Sequence, residues 1–379
     1  MTGLYIHIPF CRSRCIYCGF YSTTLNAWHQ RYVEALKAEM RLRRHEATTP
    51  ITTVYFGGGT PSCLSATQLQ QLLTTADECF DVLWNEAEVT VECNPDDMTP
   101  SFAQSLHDMG VNRVSMGVQT LDDQRLMWLH RRHTAEQARQ AVGNLRQAGF
   151  DNVSLDLIYG FPAQFLPLTS QLQQWQSDVE GIIALKPEHV SAYALSYEEG
   201  TPLAQMKNDG AFSPLDDETE RAMYETLIDL LTVAGYEHYE ISNFAKPGRR
   251  SRHNSGYWTG VPYIGLGAAA HSYDGHCRQW NISDMKRYIE GAEQGRLLTE
   301  REVIDPQTCY NEHVMLALRT CEGLDLSTLN TVERRYCLSH ARKHIDSHLL
   351  TVSDDCLRLT RQGLFVSDMV ISDLFNIEH

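Results

Sequence analysis

The sequence predicts an α/β fold: a parallel sheet of about six strands, followed by a smaller, mainly helical domain. Two features of the pattern carry this reading. Short apolar runs alternate with amphipathic helical stretches over the first 235 residues or so, and that rhythm breaks after Tyr236–Glu240. The chain is also 379 residues long, more than one hydrophobic core usually supports. Two domains, 1–245 and 246–379, are therefore expected.

Taken in order, strands are expected at 3–7, 53–56, 88–92, 113–117, 152–158 and 189–194. Helical patterns fall between them at 28–44, 66–80, 100–109, 134–148 and 168–184, with a sixth at 217–234 after a polar stretch. Strand–helix alternation implies parallel pairing with right-handed crossovers. Six such units fit either an open doubly wound sheet or a partial barrel, and periodicity does not separate the two. Residues 245–252 read as an exposed loop, and 256–267 are rich in glycine and aromatics. From about Asp305 the pattern is helical at 311–320 and 331–347, with a short pair of strands near 349–359.

With 32 basic and 48 acidic residues, the formal charge is −16. Such a surface repels phosphate backbones and anionic lipid, which argues against nucleic acid as a partner. The basic run Arg41–Arg44, broken by Leu42, reads as a solvated helix end. The chain opens on a strand with no basic n-region, so no signal peptide is expected. No apolar stretch approaches the roughly 20 residues that span a bilayer, so it is not read as an integral membrane protein. Eleven cysteines, an odd number, point to a reducing, cytoplasmic location.

Cys11, Cys15 and Cys18 form C-x3-C-x2-C directly after the first strand. Iron–sulfur cubanes are usually held by four thiolates. Three cysteines within eight residues can reach three corners and leave the fourth iron open to a chelating ligand. Arg12 and Arg14 interleave with them and are expected to lower the thiol pKa values. A zinc knuckle and three unrelated thiols are the alternatives; zinc wants four ligands, and only His7 lies close enough in sequence to add one.

Gly57-Gly58-Gly59-Thr60 follows the second strand and lacks the Lys-Ser/Thr of a phosphate loop. Glycines there let backbone approach a ligand, and the exposed carbonyls with Thr60 suit an ammonium group. Glu92, Gln119 and Asp156 end apolar strands, where parallel α/β sheets place ligands. Arg131 could pair a carboxylate in bidentate fashion. Each of these residues has a plainer reading as a strand-end group satisfied by local backbone.

Tyr5-Ile-His7-Ile-Pro-Phe-Cys11-x3-Cys15-x-Tyr17-Cys18 resembles the opening of one branch of the radical S-adenosylmethionine (SAM) superfamily. That branch contains the oxygen-independent coproporphyrinogen III oxidase and a group of heme chaperones, and the likeness runs from Tyr5 to the helix ending near Arg319. The resemblance implies a partial (β/α)6 barrel and a [4Fe–4S] cluster on Cys11, Cys15 and Cys18. It also implies SAM contacts from Tyr5, Tyr17, Gly58, Gly59, Thr60, Glu92, Gln119, Arg131 and Asp156. Arg252-His253-Asn254-Ser-Gly-Tyr257-Trp258 resembles a motif of the chaperone group and makes His253 the candidate axial heme ligand, with His271 a weaker one.

Two departures bear on activity. The oxidase has a further cysteine two positions after its third ligand, where this chain has Gly19-Phe20, and it carries an extension before its first barrel strand. The resemblance therefore implies a heme chaperone with no catalytic residues of its own, handing heme to respiratory enzymes at the membrane. The alternative is oxidative decarboxylation of coproporphyrinogen III through a 5′-deoxyadenosyl radical. A homodimer is compatible with the sequence.

Overall fold

The computed structural model describes residues 1–162 and 168–377. Six parallel strands, β1 (Thr2–Ile8), β2 (Ile51–Gly58), β3 (Glu88–Cys93), β4 (Arg113–Gln119), β5 (Val153–Tyr159) and β6 (His189–Ala194), lie side by side in chain order. Each crossover carries helix: α1 (His29–Arg43), α2 (Ala66–Cys79), α3 (Pro100–Asp108), then α4 (Asp123–Trp128) with α5 (Ala135–Gln147), and α6 (Leu168–Ala184). After β6 come α7 (Pro202–Asn208), α8 (Asp217–Val233), and the short β7 (Glu237–Glu240) and β8 (Asn243–Ala245).

Strand order decides between the two architectures. A doubly wound sheet needs a point where the order reverses; here it runs 1 to 6 without reversal. Crossovers of one hand then put every helix on one face. β1 and β6 do not pair with each other, so the six strands form a partial barrel. Leu4, Ile6, Val54, Phe56, Val89, Val91, Val114, Met116, Leu155, Leu157 and Val190 point to the helices and form the main core. Burying each such side chain is worth about 1.5–3 kcal/mol.

The expected strands and long helices are present to within two residues at each end, except that the helix expected at 311–320 begins five residues earlier, at Pro306. Sequence reading missed α4 and α7, because six and seven residues are too few to display a helical period. Their starts are set by caps instead: Asp122 accepts from Gln124 and Arg125 N–H, and Thr201 accepts from Ala204 N–H.

The expected boundary at 245 falls inside the first core. After α9 (Arg252–Trp258), strand β9 (Tyr263–Leu266) pairs in parallel with β1, Leu4 opposite Ile264. Beyond it β10 (His271–Tyr273), β11 (Cys277–Asn281) and β12 (Thr299–Val303) extend the same sheet antiparallel. Between them α10 (Met285–Glu293) packs Met285, Tyr288 and Ile289 into the main core. Pairing across some 260 residues has no local sequence signature. A separate core begins only with α11 (Pro306–Leu318), and includes α12 (Thr331–Asp346), β13 (Leu324–Asp325), β14 (Leu350–Ser353) and β15 (Cys356–Leu359).

Arg43, expected on a solvated helix end, is instead 1% exposed. It pairs with Glu39 at 2.9 Å and donates to the Gly265 carbonyl at 2.7 Å. Glu39 in turn accepts from Gly267 N–H, Asn281 and Tyr288, tying α1 to β9 and its neighbours. A buried pair of this kind is costly to break, about 3–5 kcal/mol on losing one partner. A chain cut after Ala245 strands it. That truncation is expected to lose cooperative melting by circular dichroism, whereas one cut after Val303 keeps it; a cooperative 1–245 fragment would contradict the division of cores.

Candidate functional site

The cysteine loop is held at both ends and in the middle. Cys11 N–H donates to the Thr23 carbonyl at 2.9 Å and Thr23 N–H to the Pro9 carbonyl at 2.6 Å, closing the loop at its base. Phe10 is fully buried, with its ring 4.3 Å from His29 and 5.3 Å from Tyr32. In the middle, Ile16 N–H donates to Leu129 and the Ile16 carbonyl accepts from Leu203. Ile16 sinks into a small apolar cluster with Leu129, Phe161, Leu203 and Phe212, against which Tyr17 packs. The two unforeseen helices α4 and α7 thus seat this loop.

All three cysteines are free and half-buried. Burial raises the thiol pKa of Cys11 and Cys18; Arg14 lowers that of Cys18 as expected, but burial outweighs it, and Arg12 does not act on Cys11 or Cys18. Arg12 is turned to Asp97, 3.0 Å away. Arg131 Nη1 lies 3.5 Å from Cys15 Sγ, and Thr60 Oγ1 lies 3.5 Å from Cys11 Sγ. Among the described residues no three Cys, His, Asp or Glu groups converge on a single metal ion. A cubane spreads its ligands over separate iron corners, so this thiol set suits it better than zinc.

The glycine run is shaped by its neighbours. A Cβ on Gly59 would stand 2.8 Å from the Phe10 carbonyl oxygen and 3.1 Å from Cys11 Sγ. Gly58 has φ +115° and sits against the His7 ring, while a Cβ on Gly57 would crowd Tyr5, Tyr55 and Glu92. Gly59 and Thr60 therefore abut the cysteine loop itself, and Gly58 donates its N–H to Glu92 at 3.1 Å.

Glu92, Asp156 and Tyr5 line one cavity of ≈ 290 Å³ inside the barrel, with Tyr55, Arg113, Ser115, Ser191 and Tyr193. Glu92 accepts from Tyr55 OH at 2.7 Å. Burial pushes its carboxyl up to about 7, and that of Asp156 up to about 6. Tyr5 OH donates to His7 Nδ1 at 3.0 Å, since His7 Nε2 donates to the Tyr21 carbonyl. Burial holds His7 neutral, lowered to about 4.

Gln119 and Arg131 meet over Gly117, which lies opposite Asp156 in the β4–β5 register. Gln119 has φ 71°, at a bulge ending β4. Arg131 donates to Asn94 Oδ1 at 2.7 Å and to the Gly117 carbonyl at 2.5 Å. It ties the ends of β3 and β4 to Cys15. The sequence-predicted SAM residues thus gather at and just inside the carboxyl ends of the strands, around the three thiols.

His253 lines the same barrel cavity from its other end, with Asn254 and Tyr257. It lies beside Gly3 and Thr53, toward the amino ends of β1 and β2, and is 4% exposed. Its Nδ1 is 2.8 Å from Thr53 Oγ1 and its Nε2 2.9 Å from Tyr257 OH. Its ring stacks on Tyr55, centroids 4.9 Å apart. Glu88 caps its helix by accepting from Arg252 and His253 N–H. Both nitrogens are engaged, so the expectation of an axial heme ligand fails: His253 is part of the barrel floor.

The inner-face residues Tyr55, Arg113, Ser115, Ser191 and Tyr193 were missed. A parallel strand covered on both faces reads as a continuous apolar run. Thr90, Arg113, Ser115, Ser154 and Ser191 break that rule at alternate positions, and this alternation was the available signal.

Without SAM, Glu92 titrates above its usual 4.5. The neutral carboxyl is favoured in the folded state, so its stabilising effect is complete below pH 4.5 and lost as pH rises through about 7. Glu92→Gln is expected to raise the melting temperature more at pH 8 than at pH 5, by the equivalent of about 1–3 kcal/mol. Equal shifts at both pH values would contradict a desolvated carboxyl.

Comparison with known proteins places the chain. The radical SAM superfamily model matches residues 5–165, and the HemN C-terminal domain model matches 304–366. A heme chaperone HemW of Lactococcus lactis is 34% identical over 97% of this chain and 93% of its own length. The heme chaperone HemW of Mycobacterium tuberculosis is 35% identical over 98% and 94%. The solved structure of coproporphyrinogen III oxidase (HemN) from Escherichia coli superposes with TM-score 0.84. At 23% identity, over 100% of this chain and 90% of that one, it shows the shared radical SAM fold. The chain belongs to the HemW heme chaperone family of the radical SAM superfamily.

Proposed function

We propose that this protein holds a [4Fe–4S] cluster on Cys11, Cys15 and Cys18, binds SAM at the mouth of the barrel, and carries heme to respiratory enzymes at the membrane from the cytoplasmic side. The thiol set leaves one corner of a cubane without a protein ligand, which suits a chelating amino acid group. Glu92, Asp156 and Gln119 supply acceptors for hydroxyl and amino groups, and Arg131 holds the strand ends around them. When bound, cluster and SAM supply one-electron chemistry; the chain's own residues position them and limit water.

Phe20 carries the chaperone reading over the oxidase reading. It is 71% exposed on the cysteine loop, where the resembled oxidase has a thiol. An exposed aromatic there offers a flat ligand an apolar face and offers a porphyrin substrate no acid or base. No helix among the described residues is long and apolar enough to cross a membrane, so transfer would occur from outside the bilayer. With His253 buried, the candidate axial ligand becomes the exposed His271, which stacks on Trp280 with centroids 5.8 Å apart.

Three measurements test this. Incubation with coproporphyrinogen III, SAM and reductant is expected to yield no protoporphyrinogen by chromatography; SAM-dependent product would favour the oxidase. In hemin titrations, His253→Ala should bind like the parent and His271→Ala about tenfold more weakly, a loss of about 1.4 kcal/mol. Absence of saturable hemin binding to the parent would remove the chaperone reading. Gly59→Val should lose cluster iron, because its side chain meets Cys11 and the Phe10 backbone; full iron content would place the glycine run away from the cluster.

A further inference from the structure

The cysteine loop is tied by backbone at Cys11 and again at Ile16, but the stretch between them is not. Among the described residues, 12–14 make no backbone–backbone hydrogen bond. These three residues join the first two thiols, whose separation a cluster fixes. A segment without such bonds opens easily. A side chain tethers it instead: Arg12 Nη2 lies 3.0 Å from Asp97 Oδ1. The arginine is half-exposed, whereas the Asp97 side chain is 2% exposed.

Asp97 closes the turn Pro95–Asp97 that follows β3. Its Oδ2 accepts from Ser62 Oγ at 2.8 Å, just past the glycine run. Its Oδ1 also lies 3.4 Å from Arg132, which pairs more closely with Asp96 at 2.6 Å. Arg132 adjoins Arg131, the donor to Asn94 and neighbour of Cys15 Sγ. Burying a carboxylate is costly unless charges and donors compensate. Here one buried group gathers the cysteine loop, the glycine run and the Arg131 segment. A ring closes from Cys11 through Arg12, Asp97, Arg132 and Arg131 to Cys15. A carboxylate that only braced its own turn through Ser62 would need no partner on the cysteine loop.

We infer that Asp97 is a positioning residue for the cluster: through Arg12 it fixes the span between the first two thiols and so aims the open corner at the SAM residues. The inference rests on the cluster and SAM reading given above. A charge-assisted hydrogen bond is directional as well as strong, so the pair sets the path of the segment and does more than neutralise Arg12. Asp97 acts through Arg12 and not on the cluster directly.

The test uses the full chain, cluster-free and reconstituted, as parent, Arg12→Ala, Asp97→Asn and the double variant. Arg12→Ala removes a half-exposed side chain and is expected to melt like the parent, which keeps the test valid where Asp97→Asn melts lower. In the cluster-free chains, trypsin should cut after the exposed Arg14 about fivefold faster in each single variant, as on losing one modest hydrogen bond. Reconstituted, each single variant should take up full iron and release it to a chelator faster by a similar factor. Each should also show a smaller change in electron paramagnetic resonance on adding SAM. The double variant should go no further than the singles, because both remove one shared contact. Full effects in Asp97→Asn with parent behaviour in Arg12→Ala would overturn the inference and leave Asp97 a brace for Ser62. Additive effects in the double variant would overturn it too, as would an unchanged SAM response in every variant. A parent that takes up no iron would instead remove the cluster reading, and the positioning role with it.

Discussion

Because every crossover between β1 and β6 turns the same way, the helices cover one face of the sheet and the other face closes on itself. The rest of the structure depends on this constraint. The outer positions of each strand become an ordinary apolar core. The inner positions surround a narrow space in which polar side chains can sit dry, provided each finds a partner. Tyr55 with Glu92, Ser154 with His189, and His253 with Thr53 and Tyr257 are such pairs. In this low-dielectric interior hydrogen bonds are strong and unpaired groups are expensive, so the inner face is specified residue by residue.

The barrel has two ends with different tasks. At the carboxyl ends of the strands, the cysteine loop, the glycine run, Gln119 and Arg131 are linked by short contacts into one rim. At the amino ends, α9 enters with its N–H groups capped by Glu88 and fills the opening with His253 and Tyr257. The rim is where a cluster and SAM would sit. The floor is structural, and the motif that marks the heme chaperone group in sequence is, in this chain, largely the floor. That separates family-specific residues from ligand-binding ones and directs the search for heme ligands to the outside of the sheet.

Much of this was legible in the sequence. Long strands and helices announce themselves by period, and C-x3-C-x2-C with Gly-Gly-Gly-Thr one strand later marks the rim. Three things were not legible. Helices α4 and α7 are shorter than two turns and owe their existence to caps and to Ile16 packing between them. β9 finds β1 from the far side of the chain, so the boundary at 245 was drawn where local rhythm failed rather than where the core ended. Arg43 and His253 were read from their type and neighbours in sequence. What they do is decided by Glu39, Thr53 and Tyr257, which only tertiary structure brings to them.

The central claim is that the three thiols and the strand-end residues form one rim, with an open cluster corner facing the SAM residues. Electron paramagnetic resonance of the reduced, reconstituted protein tests it most directly, recorded with and without SAM. A cluster whose open iron accepts SAM must change its spectrum on addition, and Arg131→Ala should diminish that change while leaving iron content intact. A spectrum of the parent that is identical with and without SAM would contradict the account.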